Sequence, residues 1–356
     1  MKLYDNLTIS EVEQSLTYSD IGLVPVEVSE LEHRSEADTN SEFLDLELKL
    51  PVISSPMESV TGLKMAQVLG LNGALGIVNR FDNSLSELED KWLSKEYDTT
   101  VNSVYAISLG LTDSLDTYKF WLEAFDPIIC IDTANAQNRN VLKKVEEVKY
   151  NFPQARLIVG NIAYCSDDYY ENSNILVDLN NLGVDAVRVG VGVGNGSACS
   201  TSVKTGVGIG QVSSVASCYK VKTELNLPIK LIADGGISTS GEIAKALALG
   251  ADAVMLGRMF AGTKESPGNV IKYDGKLFKV YRGSASFGVK QNGKYIEGEE
   301  TLVPYKGSVV DVLQEISDGL QSAMAYLNAR TLDEFREKAR FAILSNSAYF
   351  ERLSKG

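Results

Sequence analysis

Short apolar runs alternate along the chain with longer amphipathic stretches, and their order predicts the architecture. The runs are Val52 to Ser55, Leu75 to Val78, Val104 to Leu109, Ile128 to Asp132, Leu157 to Gly160, Ala186 to Gly190, Ile229 to Asp234 and Ala253 to Gly257. They are rich in Val and Ile, and no charge interrupts them apart from Arg188 and Lys230, as strands of a parallel sheet covered on both faces require. The stretches between them carry helix signals. Ser84 with Glu87, and Thr239 with Glu242, have capping-box spacing, and Gly250 stops the second helix. Between the fourth and fifth runs, Val141, Leu142, Val145 and Val148 form one stripe, with Lys143, Lys144, Glu146 and Glu147 expected to point away from it. Eight such units, with no GxGxxG after the first, predict an α/β fold of the (β/α)8 TIM barrel type rather than a doubly wound open sheet.

The remaining length falls in a few places, and no linker or composition shift divides the chain. One domain spanning residues 1–356 is therefore expected, with an N-terminal extension over about residues 1–50 and a long loop after strand six, Val191 to Gln211. A flap and hairpin region covers about 268–307. There Tyr273-Asp274-Gly275-Lys276 and Gln291-Asn292-Gly293-Lys294 each read as a tight turn. Residues 308–356 are expected to be helical, beginning with a helix that carries Val309, Leu313, Ile316 and Leu320 on one face.

Composition narrows the chemistry. Thirty-four Lys and Arg against 47 Asp and Glu give a net charge of -13, which opposes nucleic-acid or anionic-membrane binding through backbone charge alone. The start, MKLYDNLTIS, lacks a secretory pattern, and no stretch approaches the roughly 20 apolar residues of a membrane span. A cytoplasmic location is expected. His33 is the only histidine and lies in a charged, exposed stretch, which argues against Ser-His and Cys-His chemistry and multi-histidine metal sites. Cys130, Cys165, Cys199 and Cys218 show no CxxC spacing and read as reduced thiols.

In a barrel of this type the site lies at the carboxyl ends of the strands, with phosphate commonly held after strands seven and eight. Asp234-Gly235-Gly236 follows strand seven and leads into the capped helix, offering bare amides to an anion and a carboxylate to a sugar hydroxyl. Gly257-Arg258 follows strand eight and adds a positive charge. The loop after strand six, GVGVGNGSACSTSVKTGVGIG, places Cys199 among small residues, as a backbone that closely surrounds a ligand would. Cys130, in PIICID, has the setting of a buried small hydrophobe instead, and Cys165 and Cys218 read as packing residues. Cys199 is the nucleophile candidate.

These motifs resemble the IMP dehydrogenase/GMP reductase family over about Leu16 to Phe341. LTYSDIGLVP at Leu16, ISSPMESVT at Ile53, GNGSACST at Gly194, ADGGISTSGEIAKALALGADAVMLG at Ala233 and VPYKGSV at Val303 stand in family order. The resemblance implies a purine-nucleotide barrel, usually a homotetramer, in which Cys199 forms a thioimidate at C2 of the purine. It implies that Ser197, Asp234, Gly236 and Gly257 hold the phosphate and ribose, and the turn residues Gly235 and Arg258 are expected beside them in the substrate site. Ser55, Met57, Tyr281, Gly283 and Ser284 would complete the substrate site. Asp132, Thr133, Asn135 and Asn161 would face a nicotinamide cofactor, and Thr201 with Glu297 would handle protons for ammonia or water. A monovalent cation, K+, is implied at Gly194, Gly196 and Cys199.

Two reactions share that scaffold. A dehydrogenase passes hydride from C2 of IMP to NAD+ and uses water to release XMP, with a long flap bearing an Arg-Tyr pair. A reductase displaces ammonia from GMP at the cysteine and takes hydride from NADPH to give IMP. Here only Val289 to Ile296 separates YRGSASFG from Glu297, without an arginine, and the regulatory CBS module often found after strand two is missing. Both features favour the reductase. The dehydrogenase comes second and an inactive purine-nucleotide-binding barrel third. Three departures from the family pattern stand out: about two extra residues in the cysteine loop, Ser284 where a methionine is common, and Arg258 in place of a small residue.

Overall fold

The computed structural model describes residues 3–5, 8–11, 14–81, 84–93, 106–124, 127–166, 174–192, 201–283 and 300–352. Eight strands close a barrel: β1 (Val52–Ser54), β2 (Leu75–Val78), β3 (Ala106–Leu109), β4 (Ile128–Asp132), β5 (Arg156–Ile162), β6 (Ala186–Val189), β7 (Lys230–Asp234) and β8 (Ala253–Leu256). Every pair is parallel, and β8 closes on β1 through Met255 opposite Ile53. The fold is thus the expected (β/α)8 barrel, and each apolar run of the sequence contributes one strand.

Strand residues point alternately into the barrel and out toward the helices. The inward set includes Ile53, Ile77, Ile128, Cys130, Ile158, Ala186, Ile232 and Met255. Phe43 and Leu48, on an antiparallel hairpin (Ser41–Phe43 with Leu46–Leu48), join this inner core and plug the amino-terminal end. The outward set packs on helices that include α1 (Leu63–Leu71), α2 (Ser84–Leu93), α3 (Lys119–Ala124), α4 (Arg139–Asn151), α5 (Ile175–Asn181), α7 (Gln211–Glu224), α8 (Ser240–Ala248) and α9 (Val309–Tyr326), while the short α6 (Thr201–Thr205) in the loop after β6 buries no residue. Val309, Leu313, Ile316 and Leu320 of α9 are all buried.

One position on α4 differs from expectation. Lys144 is buried, not turned to solvent, and its Nζ donates to the Asp113 carbonyl at 2.8 Å and to Glu147 at 3.1 Å. Its aliphatic stem covers apolar surface while the ammonium reaches a carbonyl in the loop after β3.

Beyond β8, Ile271–Tyr273 and Lys276–Arg282 form a hairpin around Asp274 and Gly275, both at positive φ, as the sequence predicts. Lys276–Arg282 continues the sheet against Glu300–Pro304, ending with Arg282 opposite Glu300. The second expected turn, at Gln291 to Lys294, lies outside the described residues. The C-terminal stretch, read from sequence as helices, also carries a strand, Phe341–Ile343, between α10 (Leu332–Lys338) and α11 (Asn346–Arg352). It pairs with Leu3–Tyr4 and Ile21–Leu23, tying the N-terminal extension to the far end of the chain. Among the described residues no helix is long and apolar enough to cross a membrane.

Candidate active site

The carboxyl ends of the strands carry most of the expected residues. After β7, Asp234 leads into Gly235 and Gly236, at φ 103° and 71°, and a Cβ on Gly236 would meet nothing within 4 Å. That open backbone runs into α8, where Thr239 Oγ1 accepts from the Glu242 amide at 3.3 Å. The Glu242 carboxylate in turn accepts from the amides of Ser238 (2.7 Å) and Thr239 (3.0 Å). This is the capping box the sequence predicts, and it fixes the direction in which the glycine turn enters the helix.

A second group gathers after β8. A Cβ on Gly257 would lie 2.9 Å from Tyr281 Oη and 3.3 Å from Met57 Sδ, so Met57, Gly257 and Tyr281 converge from three parts of the chain. Ser55, beside Met57, is buried, and its carbonyl accepts from Thr61 Oγ1 at 2.7 Å. Ser59 Oγ accepts from the Arg282 amide at 3.0 Å, which joins the loop after β1 to the outer sheet, and Gly283 is buried next in sequence. Arg258 is exposed. Lys306 donates to the Arg258 and Met259 carbonyls at 2.7 and 3.0 Å. Burial, then the charge of Arg258, pulls the Lys306 pKa down to about 8.

The third group lies across the barrel mouth. Asn161 is buried at the end of β5, and its Nδ2 donates to Asp234 Oδ2 at 2.9 Å and to the Gly190 carbonyl at 2.8 Å. Its Oδ1 is buried without a partner. Arg188 donates from Nε (3.1 Å) and Nη2 (2.8 Å) to Asp234 Oδ2, and from Nη1 to Asp132 Oδ1. Burial works against the charge of Arg188, but Asp234 and Asp132 outweigh it and hold its pKa well above the ordinary value. Thr133 Oγ1 donates to the Gly160 carbonyl at 2.7 Å. Asn135 is exposed, its Oδ1 accepting from the Gln137 amide at 2.9 Å.

Thr201 is the first residue of α6 and half-buried. Gly194, Gly196, Ser197, Cys199, Ser284 and Glu297 lie outside the described residues. The other three cysteines are buried. Burial pushes the Cys130 thiol up to about 12, so it stays protonated, and Cys165 lies 3.3 Å from Cys218, sulfur to sulfur. Among the described residues no group of three His, Cys, Asp or Glu could hold a metal ion.

Sequence reasoning missed Arg188 and Gln211. Gln211 opens α7, and its Nε2 donates to the Val189 carbonyl at 2.6 Å and to the Asp234 carbonyl at 3.3 Å. The signal for Arg188 was present as a charge inside an otherwise apolar strand. Gln211 left none, because a polar residue at a helix start is ordinary.

Comparison with known proteins gives concordant findings. Residues 15–354 match the family model described as IMP dehydrogenase / GMP reductase domain. The chain is 38% identical over 330 residues to the GMP reductase of Lactobacillus acidophilus, covering 91% of this chain and 93% of that one. It is 35% identical over 341 residues to the GMP reductase of Lactobacillus delbrueckii subsp. bulgaricus, covering 94% and 96%. The inosine-5'-monophosphate dehydrogenase of Aquifex aeolicus is 40% identical over 252 residues, covering 67% of this chain and 49% of that protein.

Proposed function

The chain belongs to the IMP dehydrogenase/GMP reductase family, and from that premise we propose that it is an NADPH-dependent GMP reductase, converting GMP to IMP and ammonia. The observation that carries the choice of reaction is the register of the outer sheet. Arg282 pairs with Glu300, so only the sequence from 283 to 299 separates the two paired strands, and it contains no arginine. It leaves little length for a flap bearing an Arg-Tyr pair, which the water-using dehydrogenase needs. Near end-to-end coverage of the reductases, against half the dehydrogenase, supports the same choice. Conversion of IMP to XMP with NAD+ stays the second reading because identity to the dehydrogenase is as high over the shared part.

In this reading the phosphate takes the amides of Gly235, Gly236 and Gly257, together with Ser197, Arg258 and the Tyr281 hydroxyl. Asp234 accepts from the ribose, and Ser55, Met57, Gly283 and Ser284 border the base. Cys199 adds through its thiolate to C2 of the purine, which makes the exocyclic amine displaceable. Thr201 and Glu297 deliver the proton with which ammonia leaves. NADPH, when bound, supplies the hydride that C2 needs before the sulfur departs. The residues fit such a group, since the unpartnered Asn161 Oδ1 can accept from a carboxamide. Asp132, Thr133 and Asn135 line the same side. The K+ carbonyls assigned to Gly194, Gly196 and Cys199 take no step here. A cytoplasmic homotetramer completes the reading.

Cys199→Ala tests it. Turnover is expected to vanish while GMP still binds, because the substitution removes the covalent step and leaves the phosphate turns. Undiminished turnover in that variant would refute the assignment.

A further inference from the structure

Arg188 is a buried charge that no step above uses. Its position follows from register. Asp132, Gly160 and Arg188 stand side by side across β4, β5 and β6. A Cβ on Gly160 would lie 2.4 Å from the Arg188 Cβ, so the bare glycine is what lets this side chain occupy the mouth of the barrel. From there the guanidinium reaches two carboxylates on opposite sides, Asp132 and Asp234. Asp234 Oδ2 accepts from Arg188 Nε, Arg188 Nη2 and Asn161 Nδ2. Three donors saturate that oxygen and leave Oδ1 as the atom free to accept from a ligand.

We propose that Arg188 is a positioning residue that couples the two halves of the site, joining the carboxylate on the nucleotide side (Asp234) to the one on the dinucleotide side (Asp132), so that filling one half orders the other. The identity of the two ligands rests on the reductase reading. A ligand hydroxyl on Asp234 Oδ1 fixes the plane of that carboxylate. The planar fork of the guanidinium transmits the constraint to Asp132, since its N–H directions are rigidly related. A lysine ammonium keeps the charge but is a point donor on a flexible stem and cannot hold both carboxylates in one plane. Such coupling is a ratio of affinities and is the same measured from either ligand.

The test measures the dissociation constant of GMP, by calorimetry, with and without saturating NADP+, an oxidised dinucleotide that cannot react with it. In the wild-type protein NADP+ is expected to tighten GMP by about tenfold, within the usual range of coupling between sites. Arg188→Lys is expected to bind GMP alone nearly as well as wild type, yet to show a ratio near one. Asp132→Ala, which removes the acceptor on the dinucleotide arm and leaves Asp234 in place, is expected to lose the ratio too. Arg188→Met supplies a second readout. It leaves Asp132, Asp234, Cys130 and Asn161 facing one another without a cation, so one carboxyl holds its proton at higher pH and GMP affinity gains an acid limb that wild type lacks. A wild-type ratio of one, a ratio retained in Arg188→Lys, or a pH profile unchanged in folded Arg188→Met would overturn the proposal with the functional reading intact. Wild-type protein that binds no GMP would sink both.

Discussion

Gly160 is the residue on which the barrel mouth depends most closely. Gly160→Ala would force its methyl group into the Arg188 side chain, where the backbone on both strands is held by ladder hydrogen bonds. A loss of about 1–3 kcal/mol in unfolding free energy is expected, the usual cost of overpacking a tight interior, together with weaker GMP binding. Denaturant unfolding and calorimetry on the same sample read both, and an unperturbed variant would mean that Arg188 has room to move. At this scale the sequence is informative about chemistry and poor on support. Asp234, Gly257, Met57 and Tyr281 were legible because they sit in motifs or beside them. Arg188 was visible only as an anomaly, and the saturation of Asp234 Oδ2 depends on side chains from three strands, which no local pattern encodes.

Elements of the fold carry their own start and stop signals. The α8 capping box places Thr239 and Glu242 three residues apart, and the glycine turn that precedes it inherits its geometry. Thr239→Ala is expected to cost about 1 kcal/mol of stability, as caps of this kind do, and to weaken GMP binding because Ser238 and the turn before it lose a fixed neighbour. Thermal unfolding with and without GMP separates the two effects, and an unchanged response to GMP would detach the cap from the site. The same local logic made the Asp274-Gly275 hairpin readable in advance. It could not reveal Phe341–Ile343 as a strand. Three residues give no periodicity, and its partners, Leu3–Tyr4 and Ile21–Leu23, lie at the opposite end of the sequence. Lys144 failed for a related reason: a helix stripe shows which face is apolar, not whether a long cation finds a carbonyl beyond it.

For the molecule as a whole, the closed barrel was legible because each of its strands announces itself separately, and closure follows from repeating one unit. The wrapping of the N-terminal extension was not, since it uses scattered contacts such as Glu36 with Arg330 (2.8 Å) and Ser15 Oγ with the Gly210 amide (2.7 Å). Glu36 is held near pH 2, below its ordinary 4.5, by the His33 amide and then by Arg330. A depressed carboxyl stabilises the fold above its ordinary pKa and loses that contribution as pH falls through the folded value. The stability difference between wild type and Glu36→Gln is therefore expected to persist at neutral pH, to shrink from about pH 4.5 and to vanish near pH 2. As a surface pair it should also shrink with salt. A difference independent of pH would assign Glu36 a packing role instead. The central claim concerns direction of reaction, and matched assays following the near-ultraviolet absorbance of reduced nicotinamide test it most directly. GMP with NADPH is expected to lose absorbance while IMP and ammonia appear in equal amounts, and IMP with NAD+ is expected to show no gain. A gain with IMP and NAD+, accompanied by XMP, and no loss with GMP would contradict it.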